Sequence, residues 1–215
     1  MFAKSYAQYY NRFNFEKDYK KEIEFVYGWA ENPKRILDVG CGTANYWKYF
    51  PEGAVIRGVE RSRAMIDASE HTDKILCDDV LDIRKEWKNK VDLVTALFDV
   101  MNYIPIHNWW GKLPIKKGGY FVFDVWHKGK VDQELFKKTV RTYGDMIRII
   151  TPLEYDGKEV RLEISVECKG QVNSEIHTMY VYSHREIERL CGDDFEIVEV
   201  RQTKKWQTWY KLKRK

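Results

Sequence analysis

Hydrophobic positions change their spacing as the chain proceeds. Over residues 5–31 (SYAQYYNRFNFEKDYKKEIEFVYGWAE) apolar side chains recur at helical intervals, with Tyr19, Ile23, Val26, Tyr27 and Ala30 in phase. This predicts one or two amphipathic helices ending before Pro33. Short β-branched runs then take over at 35–39 (RILDV), 54–59 (AVIRGV), 74–77 (KILC), 91–97 (VDLVTAL) and 120–125 (YFVFDV), the last entered through Gly118 and Gly119. Helices are predicted at 43–50, 62–69 and 82–88. Strands spaced by roughly 20 residues with helices between them imply βαβ units and a parallel sheet. Their near-continuous apolar character suits a sheet covered on both faces.

A further helix is predicted at 133–140, and then the period changes to two. Residues 145–153, 159–168 and 172–182 alternate, with Asp156-Gly157 and Gly170 at the turns. This predicts an antiparallel β-meander inserted after the fifth strand. Ser183 followed by Glu186 reads as a capping box opening a helix that stops near Gly192. Runs at 195–201 and 208–213 complete the pattern. The predicted fold is α/β, a Rossmann-like seven-stranded mostly parallel sheet with helices on both faces plus the inserted meander. Its parts are a helical segment at 1–31, the α/β unit at 32–143 and 183–215, and the insertion at 144–182.

Composition narrows the class. With 44% hydrophobic and 33% charged residues in 215, wholesale disorder is excluded. Aromatic residues reach 15%, with 8 Trp and 14 Tyr, more than a core needs, so some rings are expected to line a pocket. No apolar run approaches ~20 residues, so no membrane helix is expected. The opening MFAKSYAQYY lacks the apolar stretch of a signal peptide, and the expected location is the cytoplasm. Four scattered cysteines predict neither disulfides nor a metal site. A net charge of +4 argues against a dedicated nucleic-acid binder.

The chemistry concentrates at Ile36-Leu37-Asp38-Val39-Gly40-Cys41-Gly42-Thr43-Ala44. A strand runs into a glycine turn at the start of a predicted helix, the position of a cofactor site in open α/β sheets. A dinucleotide fingerprint would place a third glycine at position 45, which is Asn45. Asp38 beside the loop would attract a cationic ammonium. Glu60, ending the second strand, can accept both ribose hydroxyls of an adenosine. Asp78 and Asp79, after the third strand, are placed for an adenine amino group.

Together these segments resemble the class I S-adenosylmethionine-dependent methyltransferases, whose first motif LDVGCGTA matches. FDVMNYI (98–104) is similar to a stretch of bacterial small-molecule methyltransferases. Tyr6, Tyr10, Lys17-Asp18-Tyr19 and Glu22 resemble the N-terminal lid of a subgroup containing sugar-amine N-methyltransferases, and Glu175-x-His177 with Tyr182-Ser183 resembles its closing motif. The N/D-P-P-Y/W motif of nucleic-acid amino methyltransferases is absent. The resemblance implies S-adenosylmethionine as cofactor, held by Tyr10, Tyr19, Asp38, Gly40, Cys41, Gly42, Glu60, Arg61, Asp79, Val80, Leu97 and Phe98. It implies methyl transfer to a nitrogen or oxygen of a small molecule, by a monomer or homodimer, with the meander roofing the substrate. His177, His127 and His107 are the candidate proton acceptors. A methyltransferase acting on RNA or protein and a nicotinamide-dependent oxidoreductase are the alternatives.

Overall fold

The computed structural model describes residues 4–14, 17–85, 90–105, 110–131, 136–203 and 206–215. Five strands open the α/β unit: β1 (Arg35–Val39), β2 (Val55–Glu60), β3 (Ile75–Cys77), β4 (Val91–Ala96) and β5 (Ile115–Trp126). Four more follow: β6 (Thr139–Tyr143), β7 (Met146–Tyr155), β8 (Glu159–Cys168) and β9 (Gln171–Tyr180). The chain then returns through β10 (Phe195–Gln202) and β11 (Gln207–Arg214). The helices are α1 (Lys4–Phe13), α2 (Tyr19–Trp29), α3 (Arg63–Asp67) and α4 (His184–Cys191).

A seven-stranded sheet has the order β10-β11-β5-β4-β1-β2-β3. Its pairs from β5 to β3 are parallel, and β11 runs antiparallel to both β5 and β10. Alternate residues of one strand feed opposite layers. Ile36 and Leu93 pack in one core with Ile23 and Val26 of α2. Leu37 and Val94 pack in the other with Ile187 and Cys191 of α4. Both faces of the central strands are therefore covered, which is why those strands carry few polar residues. The capping box that starts α4 is formed, with Ser183 and Glu186 bonding each other's backbone N–H.

The second sheet is antiparallel, in the order β6-β7-β8-β9. Its inner face, with Met146, Ile164, Val166 and Cys168, packs against Tyr6 and Phe13 of α1. Ile176 points away and is exposed, as period-2 geometry requires when His177 is buried.

Three local readings are corrected. The helix expected at 43–50 is a loop with one 3-10 turn at Trp47–Tyr49, because Ala44 takes φ 59°, outside any helix. Tyr46, Trp47 and Phe50 are all buried, so the segment folds inward rather than showing a polar face. The helix expected at 133–140 gives way to β6, where Thr139 pairs with Ile150 and Thr142 with Ile147; residues 132–135 lie outside the described ones. The segment expected to be helical at 82–88 is a 3-10 turn over Val80–Lys85, and 86–89 lie outside the described residues.

Candidate active site

The C-terminal ends of β1, β2, β3 and β4 meet α1 and the inner face of the second sheet around one cavity of about 310 Å³. The parallel topology dictates this place, since loops leaving the carboxyl edge of an open sheet diverge and leave a crevice.

Gly40 and Gly42 form its floor with φ of 61° and 57°, values that only glycine adopts without strain. The Gly40 N–H donates to the Val59 carbonyl at 2.7 Å and locks the turn to β2. A Cβ on Gly40 would sit 2.6 Å from Val100 Cγ1. The turn thus presents bare backbone to the cavity. Cys41 also lines it, its buried thiol pushed up by desolvation.

Glu60 braces this turn. Its Oε2 accepts the Gly42 N–H at 3.0 Å and its Oε1 the Ser62 N–H at 2.7 Å. Burial nevertheless raises its carboxyl above the ordinary value, against those bonds. Each carboxylate oxygen retains a further lone pair, enough for a diol. Asp38 lies deeper. Its Oδ2 accepts from Trp47 Nε1 at 2.8 Å and its Oδ1 from Thr95 Oγ1 at 2.7 Å. Burial pushes it up to about 6.

Asp79 borders the cavity with Val80. Its Oδ1 accepts the Leu81 N–H at 3.0 Å, and its Oδ2 receives Arg61 Nη1 at 3.2 Å. Leu97 and Phe98 also line the cavity. Beyond β4 the backbone takes φ 66° at Phe98 and 65° at Asp99, two left-handed residues in succession without glycine. Asp124 holds that strain. Its Oδ1 accepts the Phe98 N–H at 2.7 Å and its Oδ2 the Asp99 N–H at 3.1 Å and Gln207 Nε2 at 2.8 Å. Asp99, on the wall, accepts from Trp126 Nε1 at 2.8 Å. Burial and the neighbouring Asp124 charge raise the Asp99 carboxyl. Asp124 collects three donors and Asp99 one, so Asp99 is the member that holds the proton.

The roof comes from Tyr6 and Tyr10 of α1, Tyr103, Arg148 of β7, Ile164 of β8 and His177 of β9. The Tyr103 hydroxyl lies 3.0 Å from His177 Nδ1, and Glu175 Oε2 lies 3.5 Å from His177 Nε2. A carboxylate this close would by itself raise the basicity of the imidazole. Burial, with Arg148 adding to it, instead lowers His177 to about 4. His177 is thus neutral at neutral pH.

Two expected residues stand elsewhere. His127 is outside the cavity wall; its Nδ1 accepts the Gly129 N–H at 3.3 Å and caps a turn. Tyr19 sits one layer out, its ring edge-on to Tyr46 at 4.9 Å, while Tyr46 lines the cavity. Next to it, Lys17 Nζ bonds both Glu22 oxygens at 2.5 and 2.6 Å and lies 4.3 Å from the Phe98 ring centre. His107 lies outside the described residues. Sequence reasoning did not single out Asp99 or Arg148 as site residues. Asp99 belongs to FDVMNYI, so a signal existed for it; Arg148 carries none beyond a charge at an inward position of a predicted strand.

No family model matches the chain. It is 27% identical over 165 residues to a protein of Geobacillus sp. (strain WCH70) named "Putative methyltransferase". The aligned stretch spans 67% of this chain and 65% of that relative, just under two thirds of its length. The structure is similar to that of a S-adenosylmethionine-dependent methyltransferase from Clostridium acetobutylicum ATCC 824. The TM-score is 0.82 at 21% identity, covering 97% of both chains. It is also similar to CalS10, an amino pentose methyltransferase from Micromonospora echinaspora solved with S-adenosylmethionine bound. There the TM-score is 0.77 at 17% identity, covering 100% of this chain and 98% of the other. The fold is that of the class I S-adenosylmethionine-dependent methyltransferases.

Proposed function

We infer that the protein is an S-adenosylmethionine-dependent methyltransferase whose acceptor is a nitrogen or oxygen of a small molecule. The observation that carries this reading is the single cavity wall joining the Gly40–Gly42 turn, Glu60 and Asp79 at three successive strand ends. The residues fit the cofactor. Bare glycine backbone leaves room for the methionine portion, where a Cβ on Gly40 would meet Val100. Glu60 has acceptor capacity for a ribose diol, and Asp79 with Val80 offers one acceptor and one apolar wall for adenine. The amino pentose methyltransferase among the structural neighbours favours an amine acceptor.

When bound, S-adenosylmethionine supplies a methyl carbon already activated by its positive sulfur. The chain's contribution is alignment and exclusion of water. Tyr6, Tyr10 and Tyr103 close the cavity over the floor and set the line of approach of the nucleophile. An amine must arrive neutral or lose a proton in place. His177, near 4, is a weak base, and we assign it to orienting the acceptor through the Tyr103 hydroxyl.

The test is calorimetry with S-adenosylmethionine, S-adenosylhomocysteine and NAD. Micromolar binding of the first two is expected. NAD binding with no response to either would overturn the assignment.

A further inference from the structure

The charges around the cavity are unevenly divided. Asp38, Glu60, Asp78, Asp79 and Asp99 lie at strand ends on the floor and walls. Arg61, the cation on that side, is ion-paired with Asp79. The roof holds a different cation, Arg148, at an inward position of β7 between Met146 and Ile150.

That position is an odd one for an arginine. Its strand neighbours on the inner face pack against α1 as an apolar layer. The guanidinium carbon lies 5.6 Å from the Phe13 ring centre and 6.0 Å from that of Tyr6. A hydrogen bond joins it to the Tyr6 side chain. Among the described residues Arg148 forms no ion pair, and its buried Nε finds no acceptor. Glu175 is the nearby carboxylate, but it faces His177. Leaving a buried guanidinium N–H without an acceptor is costly, and a planar fork resting on rings still offers its edge to a planar or tetrahedral anion. The two rings and the Tyr6 hydroxyl hold the guanidinium in place but do not neutralise its charge.

We propose that the acceptor is an anion, and that Arg148 receives its carboxylate or phosphate in the roof while the nucleophile points down to the floor. This rests on the methyltransferase reading. It sharpens that reading to amino acids, other amino carboxylates, or phosphorylated amines and alcohols. It also gives the roof a specificity role that the neutral Tyr103–His177 pair does not supply.

The experiment uses the whole chain saturated with S-adenosylhomocysteine, as wild type, Arg148→Lys and Arg148→Met. The Arg148 Nε–H resonance, assigned by its loss in Arg148→Lys, is followed during titration with acetate or inorganic phosphate, against chloride at equal ionic strength. The melting temperature of all three proteins is followed over the same titrations. The expected result is a saturable resonance shift with one anion in the millimolar range. A rise in melting temperature should accompany it in wild type, shrink in Arg148→Lys and vanish in Arg148→Met. Response to acetate alone assigns a carboxylate, and response to phosphate alone a phosphate. Indifference of the resonance to both anions, or a melting rise that survives in Arg148→Met, overturns the proposal. A tenfold or greater loss of S-adenosylhomocysteine affinity in Arg148→Met also overturns it, because Arg148 would then serve the cofactor's own carboxylate. Should Arg148→Met fail to fold, the wild-type resonance and Arg148→Lys decide. If S-adenosylhomocysteine does not bind wild type, the cofactor assignment fails separately, and the same titrations on the ligand-free protein still decide the anion site.

Discussion

Asp124 Oδ2 accepts the backbone N–H of Asp99 at 3.1 Å, while the Asp99 carboxyl lines the cavity. The two acids have opposite tasks. Asp124 faces inward and restrains a left-handed pair of residues; Asp99 is pushed towards its neutral form by burial and by that neighbour. Asp124→Asn keeps the shape but loses the charge that attracts three donors, and should cost roughly 2–3 kcal/mol of stability. Asp99→Asn should be tolerated. A group whose folded pKa is raised contributes stability at low pH and loses it as pH rises through the folded value. Wild type should therefore fall behind Asp99→Asn as pH increases from about 4 to 8. Melting curves at the two pH values check this; a fixed difference between the proteins would show that Asp99 does not titrate in this range.

His177 has the opposite sign. Its folded value near 4 lies below the ordinary 6.5, so its contribution is complete above 6.5 and is lost as pH falls towards 4. The loss should approach roughly 3 kcal/mol by pH 4, and His177→Gln should flatten that limb. In turnover, His177→Gln and Tyr103→Phe should each reduce rate by on the order of 10-fold, with no inflection near 6.5 removed. A lost inflection at 6.5 would make His177 the proton acceptor after all.

Much of the architecture is legible in the sequence. The alternation of strand and helix, the glycine turn after RILDV and the acid at Glu60 are local patterns, and local patterns survive folding. The errors fell where tertiary contacts override propensity. Residues 43–50 follow the glycine turn where a helix is expected, yet Trp47 turns inward to bond Asp38, and Ala44 takes a left-handed conformation that no helix contains. Thr139–Tyr143 becomes a strand because β7 offers it an edge. His177 was expected to be a candidate proton acceptor; the depth of burial that lowers its basicity is not visible in spacing. Arg148 was equally hidden, since its importance lies in the absence of an ion-pair partner among the described residues.

Glu60 carries a double load, and its variants should separate the two. Glu60→Ala removes the ribose acceptor and also frees the Gly42 and Ser62 N–H groups. Affinity for S-adenosylhomocysteine should drop by about 2–4 kcal/mol. Glu60→Gln keeps one acceptor oxygen and should fall between. Calorimetry on folded variants measures both; unchanged dissociation constants would leave Glu60 as a brace for the turn alone.

The last prediction concerns α1, which joins floor to roof. Its Asn11 accepts from Thr43 Oγ1 at 2.8 Å and Asn45 Nδ2 at 2.9 Å, bonds that tie the helix to the loop after the glycine turn. On either side of Asn11, Tyr6 and Phe13 pack on the inner face of the second sheet. Tyr6, Tyr10 and Asn14 face the cavity. Ligand in the cavity would therefore touch α1 along its length, and ordering of the helix and ligand binding should be linked. Amide exchange over residues 4–14 should slow by roughly 10-fold on saturation with S-adenosylhomocysteine, while the amides of β1 and β4 change little. Asn11→Ala should weaken binding by about 0.5–1.5 kcal/mol and reduce that protection, although Asn11 itself is not on the cavity wall. Equal exchange with and without ligand would make α1 a fixed wall instead of a closing lid, and the aromatic rings it carries would then act only as packing.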